Sequence, residues 1–199
     1  MASPDAQSTG SEDLERFVVR RKFFTFLGQK FYINDDNGAL IGFVKQKAFK
    51  LREDIRVYTD EECAKELLVI KARNILDFSA AFDVVDAVSQ EKVGVFRRKG
   101  FTSTLVRDEW EVLDPQDNPV GTIQEDSVTL GLIRRYIFKL LPQSFTVAMG
   151  EKEVAEFRQN WNIFMPRMAC EYRVPAAEFD RRLGIAAAVL ISTIEGRKQ

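Results

Sequence analysis

Two short basic runs are the residues of this chain whose types and spacing best suit chemistry. Lys45, Lys47, Lys50 and Arg52 fall close together, and Arg97, Arg98 and Lys99 are consecutive. Arg offers a planar fork that can grip a phosphate in bidentate fashion, and Lys a compact point charge. Such runs could hold an anionic ligand through charge-assisted hydrogen bonds. The competing explanation is a solvated face balanced by Glu53, Asp54 and Glu91. Arg134 and Arg135 beside Tyr136 and Phe138 form a second candidate, since a basic-aromatic edge can sit at a lipid interface. Packing of Ile133, Tyr136 and Ile137 into a core would explain the same residues. Arg20-Arg21-Lys22 before Phe23-Phe24 and Phe26 pose the same choice between a membrane anchor and a segment entering the core.

Most enzymatic chemistry is excluded by composition. The chain has no histidine, which removes Ser-His-Asp, Cys-His and H-E-x-x-H arrangements and the usual ligand of zinc sites. No G-x-x-x-x-G-K-[ST] or G-x-G-x-x-G run is present. Asp35-Asp36, Glu61-Glu62 and Asp108-Glu109 are adjacent acids, but neighbours on a strand point to opposite faces and acids in turns are solvated. No catalytic residue, metal or cofactor is therefore assigned, although carboxylate-only or Lys-based catalysis stays open. Cys63 and Cys170 are too few for a disulfide framework and read as two reduced thiols. The acids at 61 and 62 disfavour a Cys63 thiolate. A net charge of -1 provides no bulk attraction to nucleic acid or anionic membrane, and no nucleic-acid recognition motif accompanies the basic runs.

The elements that must carry these side chains are short. Segments of about five to eight residues with period-2 alternation, bounded by Asp, Asn, Gly and Pro, mark an all-β chain. Phe31-Tyr32-Ile33-Asn34-Asp35 is echoed by Phe82-Asp83-Val84-Val85-Asp86, by Trp110-Glu111-Val112-Leu113-Asp114 and more weakly by Phe145-Thr146-Val147-Ala148-Met149. Each leads through a polar turn into a second strand with a small residue near its start: Gly42, Gly94, Gly121 or Ala155. The unit is a β-hairpin, best supported at Asp35-Asp36-Asn37-Gly38 and at Asp114 to Pro119. The small residues mark either a bulge or the close approach of another element. Further strands are expected at Asp54 to Tyr58 and Glu66 to Lys71, and Trp110 and Trp161 read as core anchors.

One segment breaks the pattern. Leu183-Gly184-Ile185-Ala186-Ala187-Ala188-Val189-Leu190-Ile191 is a helix that is apolar all round and too short to cross a bilayer, so protein must surround it. The expected fold is mainly β: a closed antiparallel β-barrel of about twelve strands around a central hydrophobic C-terminal helix. That helix is placed at about 175–195, starting at Pro175 with Glu178 and Asp180 at its positive end and stopping at Gly196. Residues 1–15 read as a polar, disordered tail with no signal-peptide character, and 16–199 as one domain. A cytoplasmic location, peripheral to a membrane where a ligand draws it there, is the matching expectation.

These residues resemble the tubby-like superfamily, in particular the LURP-one-related proteins and their bacterial relatives, with phospholipid scramblases more distant. The resemblance rests on Phe31 to Gly38 with Gly42, on Phe49-Lys50-Leu51-Arg52, on Leu105 to Val112 and on Asp180-Arg181-Arg182-Leu183. It implies a twelve-stranded barrel around a hydrophobic helix. It also implies a module binding phosphoinositide or membrane headgroups through basic side chains: Lys45, Lys47, Lys50, Arg52, Arg97, Arg98 and Lys99. The alternative is a protein-interaction or structural barrel whose partner surface lies elsewhere, along an exposed strand edge for example. Scramblase-like activity ranks lowest, because no segment fits a D-x-[DN]-x-[DN]-G calcium loop and the cysteine-rich segment of scramblases is missing.

Overall fold

The computed structural model describes residues 14–24, 28–46, 54–73, 81–99, 109–126, 143–160 and 166–195. They form β1 (Arg16–Phe24), β2 (Gly28–Asp35), β3 (Leu40–Gln46), β4 (Ile55–Tyr58), β5 (Glu66–Ala72), β6 (Ala81–Asp86), β7 (Lys92–Arg98), β8 (Glu109–Leu113), β9 (Pro119–Glu125), β10 (Ser144–Met149), β11 (Lys152–Gln159), β12 (Arg167–Tyr172) and α1 (Arg181–Glu195). Each strand pairs antiparallel with the next in sequence, and β1 pairs with β12, from Arg16 opposite Glu171 to Arg20 opposite Arg167, to close the barrel. Closure leaves no strand edge in this sheet, so the expected route for a partner along an exposed edge is not available here.

Five hairpins carry the same irregularity. The ladder skips one residue at Ile41, Leu67, Val93, Val120 and Val154, each just inside the second strand. Two residues then oppose one, and the extra apolar side chain joins or packs against the interior core. In four cases the next residue is small: Gly42, Gly94, Gly121 or Ala155. At Gly94 both expected roles coincide: an added Cβ would lie 2.9 Å from the Leu113 carbonyl oxygen and 3.0 Å from Leu183 Cδ2 of the helix.

The helix fills the barrel. Ala186 to Ile191 are each 3 % exposed or less, and Phe17, Phe31, Ile33, Phe96, Phe145 and Phe157 line the surrounding wall. Trp110 is buried in the same core, as expected, whereas Trp161 lies outside the described residues. α1 begins six residues later than expected. Pro175 starts only an isolated turn, its carbonyl accepting from the Glu178 and Phe179 amides at 3.0 and 3.3 Å. The Asp180 carboxylate then accepts from the Arg182 amide at 2.8 Å and caps the helix that follows. Glu178 pairs with Lys152 instead of the helix end. Gly196 lies outside the described residues, and no helix among them is long and apolar enough to cross a membrane.

The described residues begin before Arg16. Leu14 is buried in the core, and the Glu15 carbonyl accepts from the Tyr172 amide at 2.9 Å. Cys63 and Cys170 are both free thiols. Burial pushes the Cys63 thiol up, with Asp60 and Glu62 adding to it against Lys45 and Lys30. The direction agrees with an unreactive thiol, but desolvation rather than the acid pair leads it.

Candidate anion site

The alternating sheet directions settle where the basic runs lie. β3 and β7 both run toward the end of the barrel at which α1 finishes, so Lys45 and Arg97 to Lys99 share one end. They stand four strand spacings apart, which at ~4.8 Å each is about 19 Å along the wall. Lys47, Lys50 and Arg52, and the second candidate Arg134, Arg135 and Tyr136, lie outside the described residues.

The β7 run is matched by its neighbour strand. Arg97 stands opposite Glu111 and donates to its carboxylate from Nε at 2.7 Å and Nη2 at 2.6 Å. Lys99 pairs with Glu109 at 2.6 Å. Arg98 projects to the other face, its guanidinium 5.8 Å from the centre of the buried Trp110 ring. The acids that balance this run are Glu109 and Glu111 from β8 rather than the expected Asp54 and Glu91, and the expected Glu53 lies outside the described residues. Asp54 lies 3.9 Å from Arg56, and Glu91 accepts from Ser89.

Lys45 has a different setting. It is exposed, and its side chain makes no hydrogen bond or ion pair among the described residues. Directly across on β2 stands Lys30, and directly across from Lys30 on β1 stands Lys22. The three lysines form one row on the outer wall, because Arg21, Phe31 and Val44, one residue away on each strand, are buried on the opposite face. Like charges set opposite each other on neighbouring strands destabilise a sheet. Here two aromatic rings and one carboxylate offset the repulsion. The next outward row is Arg20, Tyr32, Phe43 and Tyr58. Lys22 Nζ lies 5.1 Å from the Tyr32 ring centre and Lys30 Nζ 5.7 Å from that of Phe43. Tyr32 and Phe43 meet edge to face at 5.2 Å.

Glu61 in the β4–β5 turn folds back onto this row. It accepts from the Tyr32 hydroxyl at 2.8 Å and from Lys30 Nζ at 3.4 Å. Phe43 beneath is fully buried although it points away from the barrel interior. Burial and then Glu61 push the Tyr32 phenol up to about 12, while the hydrogen bond from Tyr32, followed by Lys30 and Lys22, holds the Glu61 carboxyl low. Lys22 and Lys30 were not among the expected site residues. Their signal is the register of the first hairpin: Lys30 falls opposite Lys45 only once the extra residue Ile41 is counted. No group of three or more His, Cys, Asp or Glu side chains able to hold a metal occurs among the described residues.

The architecture defines a class, the antiparallel twelve-stranded barrel closed around a single described helix. Within it, the family model described as LURP-one-related matches residues 40–192, and the chain belongs to that family. No curated protein and no solved structure matches the chain.

Proposed function

We propose that this LURP-one-related barrel is a non-enzymatic, tubby-like module that binds an anionic ligand, a phosphoinositide or membrane headgroup, through the basic side chains at one end of the barrel. The observation that carries this reading is the outward-facing row Lys22, Lys30 and Lys45, in which Lys45 pairs with no carboxylate among the described residues. A protein keeps adjacent like charges at a cost in stability, and an anionic ligand recovers that cost on binding. The reading places the protein in the cytoplasm, peripheral at a membrane when the ligand is a lipid.

Co-sedimentation with vesicles containing phosphoinositide, at low salt and again near physiological ionic strength, tests it. Binding at low salt that weakens with added salt is expected, because exposed charges are screened within about 8 Å at 0.15 M. Absence of binding at low salt overturns the reading.

A further inference from the structure

The lysine row already contains an acidic group, and its geometry says what sort of ligand belongs there. The Glu61 carboxylate, carried on a turn, reaches the Tyr32 hydroxyl and Lys30, and Lys22 and Lys45 stand on either side of Lys30 on the neighbouring strands. A carboxylate carries one negative charge, so Glu61 balances only one of the three lysines in the row. A phosphomonoester has three free oxygens and nearly two charges at neutral pH. Lys22, Lys30 and Lys45 stand side by side on strands spaced ~4.8 Å apart, so three positive charges face the single charge of Glu61.

We infer that Lys22, Lys30, Lys45 and Tyr32 form a discrete site for a phosphomonoester dianion, and that Glu61 is an internal occupant which such a ligand displaces. This rests on the anionic-ligand reading above and narrows it to these residues and to that group. The shared chemistry has two sources, the phosphorylated headgroup of a lipid and a soluble phosphate ester of the same kind. Displacement of Glu61 moves no covalent bond. The Tyr32 hydroxyl and the Lys30 ammonium exchange one oxyanion for another, and the freed carboxylate returns to water.

The Arg97 run is not equivalent to this site. Its acids, Glu109 and Glu111, stand on a strand in register with it, so each cation is matched within the sheet itself. Glu61 is instead supplied by a turn and is exposed, so it can leave without disturbing the ladder.

The test uses the full chain. Vesicles bearing a singly phosphorylated phosphoinositide are compared with phosphatidylserine vesicles of equal surface charge, and soluble inositol phosphate is titrated calorimetrically. Lys22→Ala and Lys45→Ala should each weaken binding of the phosphorylated lipid about tenfold, the loss of one charge-assisted hydrogen bond. Glu61→Gln should tighten it about threefold or more, because the competing charge is removed. Arg97→Ala with Lys99→Ala should change it less than about threefold. Urea midpoints of all variants establish that each is folded. Tight binding of the soluble ester assigns the ligand to solution and vesicle-only binding assigns it to the membrane, and either supports the site. Equal binding of both vesicle types, or loss with Arg97→Ala and Lys99→Ala but not with the lysine-row variants, overturns the site while leaving the broader reading intact. No binding of any vesicle or soluble ester overturns both.

Discussion

The Tyr172 hydroxyl donates to the carbonyl of Arg181 at 2.9 Å, while the Arg181 guanidinium lies 4.0 Å from the centre of the same ring. One buried aromatic side chain at the end of β12 thus holds the first residue of α1 at both its backbone and its side chain. The Arg181 guanidinium completes the join by donating to the Val174 carbonyl at 2.8 Å. Gly184 makes the approach possible, since a Cβ there would fall 2.3 Å from the Tyr172 hydroxyl oxygen. Gly184→Ala is therefore expected to lower stability by ~1–3 kcal/mol through overpacking. That is opposite in sign to the gain of ~1 kcal/mol that the same change brings in an unhindered helix. Urea denaturation decides between the two signs.

Arg182 ties the start of α1 to the wall. It donates to Asp86 at 2.8 Å and to its own cap, Asp180, at 2.7 Å. Burial pushes the Asp86 carboxyl up, but hydrogen bonds from Arg182, Ser89 and Val88 outweigh it and hold the group low. A double-mutant cycle of Arg182→Ala and Asp86→Asn should give a coupling of about 1 kcal/mol or less, since the Arg182 side chain is 35 % exposed and partly screened by water. A coupling indistinguishable from zero would remove this contact from the account of how the helix is placed.

Val189 has no exposed surface within the barrel. Val189→Asp would bury an unpaired carboxylate, a change of more than about 4 kcal/mol in a protein whose whole stability is expected to be ~5–15 kcal/mol. Loss of the near-ultraviolet circular dichroism and of cooperative unfolding is expected. A variant that still unfolds in a single sharp transition would show that the helix is dispensable to the barrel.

Asp117 joins two strands from a turn by accepting from Arg73 and Lys92, each at 2.6 Å. Those two hydrogen bonds, Arg73 first, hold its carboxyl at about 2. The folded value is depressed from an unfolded value of about 3.9. The stabilisation is therefore fully present above about pH 4 and is lost as the pH falls toward about 2. Asp117→Asn should flatten the decline of stability across that window while lowering stability at neutral pH. Acid titration of the urea midpoint, wild type against variant, measures both effects.

The hairpins were legible where turn chemistry and alternation agreed. Asp35 to Gly38 forms a reversal in which the Asp35 carboxylate accepts from the Ala39 amide, and Gly38 has a φ of +81°. The buried helix was legible from its apolar run, but its start was not. Pro175 suits a first helical turn, whereas the Asp180 side chain offers the stronger cap, and nothing local to Pro175 records that. Most of the candidate site was equally hidden. Lys45 stood out within a basic run, while Lys22 and Lys30 become its neighbours only through pairing between strands, and one uncounted bulge residue shifts every partner to the other face. The matching of Arg97 and Lys99 by Glu111 and Glu109 was hidden for the same reason.

The seam between β1 and β12 also sets the timetable of folding. The first strand cannot find its second neighbour until the twelfth has been made, and α1, which fills the interior, follows both in the chain. Before that point the hairpins can form locally, but their inward-facing Phe, Ile and Val side chains have nothing to enclose. A ribosome-bound chain of this kind is a curved, sticky ribbon for as long as its last segment is still in the exit tunnel. Closure waits on that one distant pairing and on the helix, the contacts with the largest loop-closure entropy. Chaperone demand and yield on expression should therefore respond most to changes in residues 181–195, the last of the barrel's elements in chain order.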